Sequence, residues 1–260
     1  MKPFSMFVAA AMLALGFGQA SAGEISDTGA NAYWGGKGYG ADVIGSSMYD
    51  IQNAAISRVG SVLTIVINTN FAGHAGADAG VVSTRGIGYG DVFLSDVWNP
   101  YGSDAHHQYD KASNGTNWDY ALSLDNRYSN TGGTFRLLSL DGTNANDILT
   151  PSSFLNKCTL DRTCSYRDGA AVAANTASST VKATGLTGTW SVYKDSALTF
   201  KIDLSGSELL NWNAFAMHWG ETCANDVIEG MTSARVPEPA SLALVLLGLG
   251  SFAALRRRRG

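Results

Sequence analysis

The chain has 260 residues, 22 acidic against 18 basic, and a formal net charge of −4. Setting aside Lys2, Glu238 and Arg256 to Arg259 leaves a body that is more acidic still. Such a body excludes nucleic acid as a partner, which demands clustered Lys and Arg against phosphates, whereas it suits calcium and neutral sugars. The chain holds 30 glycines and few glutamates, a composition of tight turns rather than long helices.

In chain order, residues 1–22 combine Lys2, an apolar stretch and the small-residue site Ala20-Ser21-Ala22. This is the pattern of a secretory signal peptide cut before Gly23. Residues 23–235 have the length of one domain. Within them, "SVLTIVINT" (61–69) alternates Leu63, Ile65 and Ile67 against Val62, Thr64, Val66 and Asn68. "GDVFLSDVW" (90–98) is a second run, and "NWDYALSL" (117–124) sets Trp118, Tyr120, Leu122 and Leu124 on one face. "TFRLLSL" (134–140), "ALTFKIDL" (197–204) and "WNAFAMHWG" (212–220) complete the set, with Leu198, Phe200, Ile202 and Leu204 inward in the fifth. Period-two alternation of aromatic and β-branched residues marks half-buried strands. "TPSSFLNKC" and "SELLNW" are the short helical candidates. The glycine-rich stretch 68–90 lacks the GxxxxGK[ST] pattern and reads as a loop. The expectation is an all-β, antiparallel β-sandwich of jelly-roll or lectin-like type with one or two short helices. An N-terminal signal helix and a C-terminal transmembrane helix would flank it.

Candidate chemistry is sparse. Cys158 and Cys164 are close in sequence, and in an exported protein the simplest pairing is a disulfide between them. Cys223 is then left over, and no spacing suits zinc. Carboxylates gather at Asp42 with Asp50, at Asp91 with Asp96, and at Asn225, Asp226 and Glu229. Asn and Asp cap turns, but hard cations also take such oxygens. No cofactor is required; if a metal binds, calcium on Asp42 and Asp226 is the expectation. A glycan hydrolase would need two facing carboxyl groups, for which Glu221, Asp226 and Glu229 are the alternative candidates. For a non-enzymatic binder, Trp34, Trp98, Tyr101 and His106 supply aromatic rings beside amides and carboxylates, suited to a sugar's apolar face and hydroxyl rim.

The chain closes on residues 236–260. Pro237-Glu238-Pro239 precedes an uncharged apolar run, 240–255, and four arginines, 256–259. As a helix the run would be about 24 Å long, near the ~30 Å hydrocarbon core once the arginine stems snorkel. These three parts in this order resemble the PEP-CTERM sorting signal. That resemblance implies recognition by an exosortase at the inner membrane of a Gram-negative bacterium. It also implies transient anchoring, a cell-surface or extracellular fate, and extracellular polysaccharide as a partner. The body resembles, through "NAYWGGKGYGADVIGSSMYDIQNAAI", "GDVFLSDVW" and "MHWGETCANDVIEG", the lectin-like bodies of PEP-CTERM proteins of unassigned activity.

Overall fold

The computed structural model describes residues 22–36, 38–157 and 165–234. Twelve strands are present: β1 (Gly23–Ser26), β2 (Ile51–Val59), β3 (Val62–Thr69), β4 (Val92–Ser95), β5 (Tyr120–Leu124), β6 (Gly132–Leu140), β7 (Ile148–Leu149), β8 (Ala173–Ala174), β9 (Val181–Tyr193), β10 (Ala197–Asp203), β11 (Ala214–Gly220) and β12 (Val227–Ser233). Ten of them form one sheet in the order β1-β2-β3-β10-β9-β6-β5-β4-β11-β12. Every pairing in it is antiparallel. β7 and β8 form a separate two-stranded ribbon.

The all-β, antiparallel expectation holds, but the architecture differs from two stacked sheets. The sheet is continuous, and its outermost strands, β1 and β12, come back into contact. Near this seam the Arg58 amide donates to Ala234 O at 2.7 Å. All ten strands turn one face into a single apolar core. Ile25 comes from β1, Ile56 from β2, Ile65 from β3, Phe200 from β10 and Trp190 from β9; Phe135, Leu122, Leu94, Met217 and Ile228 come from the other five. Closing the curl lets each strand bury its apolar side without a second sheet.

On β3 and β10 the outward residues are partly or fully solvated, as alternation requires. β4, β5 and the rest of β11 after its first residue are buried on both faces. Loops cover their outer side, and Phe93, Ala121 and Ala216 pack there with Trp118 and Ala171. Trp118 therefore leaves the face it was expected to share with Tyr120. It precedes β5, and its amide donates to Asn144 Oδ1 at 3.2 Å instead of to the ladder.

The helical elements are single turns. Among the described residues Asn144–Asp147 form the one α-helical turn, while Pro151–Ser153 and Glu208–Asn211 are 3₁₀ turns at the two sequence-based candidates. Among the described residues no helix is long and apolar enough to cross a membrane. The signal peptide, the Cys158–Cys164 pair, Pro237-Glu238-Pro239 and the 240–255 span lie outside the described residues.

The seam has a tight point. A Cβ at Gly230 would lie 2.7 Å from Ile25 Cγ2. Gly230→Val is expected to wedge β1 from β12 and cost about 1–3 kcal/mol, read as a lower Tm. Val59→Thr, at a site 71% exposed, should leave Tm unchanged.

Candidate functional site

The described body carries three polar constellations, two of them at opposite ends of the strands. The first is an open groove of about 450 Å³. Asp96 follows β4, Asp119 and Tyr120 open β5, Asp141 follows β6, and Glu208 and Trp212 belong to the turn before β11. The Tyr120 and Trp212 rings meet edge to face, 5.8 Å apart. Tyr120 OH donates to Glu208 Oε1 at 2.5 Å, and Ser95 Oγ donates to Asp119 Oδ2 at 2.7 Å. Burial, and then the charges of Asp96 and Glu208, hold the Asp119 carboxyl above its ordinary range. Lys182 pairs with Asp141 at 2.8 Å and pulls that carboxyl down.

The second constellation is acidic and buried. Asp27 follows β1, Asp226 precedes β12, and Asp42 lies on the segment between β1 and β2. One carboxylate oxygen of each lies within 4.8 Å of the other two. Asp27 Oδ1 accepts from the Tyr33 amide at 3.0 Å. Asp226 accepts from the amides of Ile51 at 2.7 Å and Val227 at 2.9 Å. Asp27 Oδ2 and Asp42 Oδ1 have no hydrogen-bond partner of good geometry, although the Trp34 indole approaches Asp42. Arg167 is fully buried beside them. Its Nη groups donate to the carbonyls of Trp34, Gly35, Ala41 and Asp42, so it staples the loop rather than pairing with a carboxylate. Burial is the first cause that pushes the carboxyls of Asp27, Asp42, Asp226 and Glu221 upward, and like charges add to it.

The third lies under the loop 97–118. His218 Nδ1 is 2.8 Å from Glu229 Oε2, and His218 Nε2 is 2.8 Å from Ala171 O. Both ring nitrogens face oxygen atoms, so the ring's orientation is fixed from two sides. Trp98 Nε1 and Thr116 Oγ1 donate to Glu229 Oε1 at 3.0 and 3.2 Å. Asp110 shares with Tyr33, Lys111, His218 and Glu229 a cavity of about 10 Å³, the lower limit for one water.

The residues singled out in the sequence are thus dispersed. Asp42 and Asp226 come together, with Asp27 as an unforeseen third member. Asp91 is a structural pin, accepting from Leu124 N, Ala174 N and Arg127, whereas Asp96 faces the groove. Trp34 stacks on His106 at 3.7 Å, so each covers a face of the other. Trp98 is tied to Glu229, and Tyr101 is 51% exposed. Glu221, Asp226 and Glu229 are buried. Cys223 is a buried free thiol. The groove's Asp119, Glu208 and Trp212 went unrecognised because they come from separate segments without a shared motif.

Asp110 provides a pH test. Burial first, then the Glu229 charge, push its carboxyl from 3.8 up to about 7. The folded chain therefore binds the proton more tightly than the unfolded chain. Stability falls as pH rises through that window, and the penalty is complete above about 7. Asp110→Asn is expected to be more stable than the wild type at pH 8, by on the order of 1–3 kcal/mol, with the difference gone near pH 4. Superimposable curves of Tm against pH for the two chains would refute this.

No curated protein and no solved structure matches the chain. Residues 235–259, however, match the PEP-CTERM protein-sorting motif. The chain therefore carries the sorting signal of exported proteins that are processed at the membrane by an exosortase.

Proposed function

We propose that this exported, exosortase-sorted protein serves without catalysis at the cell surface or in the extracellular matrix, holding neutral glycan in the groove at Tyr120 and Trp212. The observation that carries the reading is the groove itself. It sets the half-buried Trp212 ring, with the buried Tyr120 edge to face behind it, beside several carboxylates in an open cleft. Ring faces and edges suit the apolar side of a pyranose, and carboxylates accept its hydroxyls. The excess of acid disfavours an anionic polysaccharide.

The competing reading, hydrolysis by Glu221, Asp226 and Glu229, requires carboxyls that face a sugar across an open cleft. Asp226 and Glu229 spend their oxygens on buried hydrogen bonds, and Glu221 is fully enclosed. Burial of this kind favours a binder.

The test is a neutral-glycan array probed with the full-length chain. Retention is expected on some neutral oligosaccharides. Trp212→Ala should weaken it about five- to tenfold, since a ring contact contributes on the order of 1 kcal/mol, and Tyr101→Ala should not change it. No retained sugar, or equal retention by Trp212→Ala, would overturn the site; release of reducing ends would overturn the non-enzymatic reading. In the native host, Glu238→Ala is expected to block removal of the apolar tail, detected as a heavier mature chain by mass spectrometry.

A further inference from the structure

We propose that Asp27, Asp42 and Asp226 form a calcium site at the strand end opposite the groove, and that the ion locks the segment between β1 and β2 onto the barrel mouth.

Spacing is the first argument. Calcium holds oxygens at about 2.3–2.6 Å, so ligand oxygens around one ion lie within roughly 5 Å of one another, and these three carboxylates meet that limit at 4.8 Å. The donor set is all oxygen, the preference of a hard cation. Burial is the second. Asp27 and Asp226 are completely enclosed, and Asp27 Oδ2 is a buried carboxylate oxygen with no donor. Leaving such an atom bare is costly. Each Asp226 oxygen accepts a single amide, which leaves a lone pair on each for a metal.

Charge is the third. Three carboxylates beside the Arg167 guanidinium leave two negative charges, which one divalent ion neutralises. Arg167 does not take over that role, because its Nη groups are committed to backbone carbonyls.

An independent observation comes from Glu221. It is fully buried, and neither of its carboxylate oxygens has a hydrogen bond of good geometry, although the amides of Glu221 and Asp226 approach them. The β11–β12 register pairs Gly220 with Val227, so its continuation sets Glu221 opposite Asp226. Residues opposite each other in an antiparallel pair share a face. Trp219 and Ile228, two positions further along the same strands, both enter the main core. The enclosed Glu221 carboxyl therefore faces the same interior as Asp226 and adds a further acidic group behind the three.

Asp42 is the movable partner. It is half-buried, on a loop otherwise held by Arg167 and by Ile44 N donating to Asn225 O at 2.9 Å. An ion joining Asp42 to Asp27 and Asp226 would tie this loop to the two strands at the seam. Exported modules commonly bind calcium with Kd values of about 10⁻⁴–10⁻³ M, a range suited to this protein's destination.

The experiment uses the full-length chain stripped with EDTA and titrated with CaCl₂ or MgCl₂, followed by thermal unfolding and by Trp-sensitised terbium luminescence. At about 100 times Kd, calcium is expected to raise Tm by roughly 5 °C or more, with a smaller rise for magnesium. Terbium should luminesce, since Trp34 is beside Asp42, and calcium should quench the signal. Asp27→Asn and Asp42→Asn should each abolish the calcium response and keep at least the wild-type Tm in EDTA, because each relieves the crowding of carboxyls that burial and like charge disfavour. Trp212→Ala should keep the full response, which separates this site from the glycan groove. An unchanged wild-type Tm between EDTA and calcium would overturn the site, as would an undiminished calcium response in both Asn variants.

Discussion

The meeting of β1 with β12 is the constraint on which the rest of the body depends. With these edges apart, ten strands would present one long apolar face to water. With them together, the same face becomes a shared core, and both ends of the curl become mouths that need covering. The two mouths are covered differently. At one, short turns leave an aromatic, acidic groove open. At the other, the loop carrying Asp42 folds across enclosed carboxylates, and Arg167 holds it there through backbone carbonyls.

The buried charges follow from this geometry. Strand ends that point inward at a barrel mouth reach the edge of the apolar core, where a polar side chain has neither bulk water nor a ladder partner. Asp91, enclosed on the outer side of β4 with Phe93 and Ala174, meets burial with two amides and Arg127. Asp226, at the mouth itself, meets it with two amides, whereas Asp27 retains a bare oxygen. The contrast between Asp91 and Asp27 is instructive: equal burial, unequal satisfaction. A carboxylate enclosed only to cap a turn would resemble Asp91.

Strands whose two faces have different surroundings were legible in the sequence. Leu198, Phe200 and Ile202 point inward and Thr199, Lys201 and Asp203 outward, because β10 has core on one side and solvent on the other. β9 was invisible: Gly185 and Gly188 interrupt its pattern, and most of its length is exposed. β2 was hidden by its polar Gln52 and Asn53. The difference between a sandwich and a curled sheet lies in which edges meet, and strand pattern does not encode that. Of the sites, Asp42 and Asp226 were legible because carboxylates and amides crowd the turns around them. Asp27 stands alone after a four-residue strand, and Arg167 is a lone base with no motif. Trp34 and Trp98, read as sugar-facing rings, are engaged within the fold: Trp34 stacks on His106 and the Trp98 indole donates to Glu229.

The order of strands bears on how the protein is made. The seam joins the first strand of the body to its last, and the sorting motif begins at residue 235, two positions after β12 ends at Ser233. A chain threaded outward from its amino end delivers β1 early and β12 only when nearly the whole body has crossed. Until then β1 lacks its final neighbour, and Asp27 waits for Asp226. Completion of the barrel and arrival of the sorting motif thus fall at nearly the same moment of translocation.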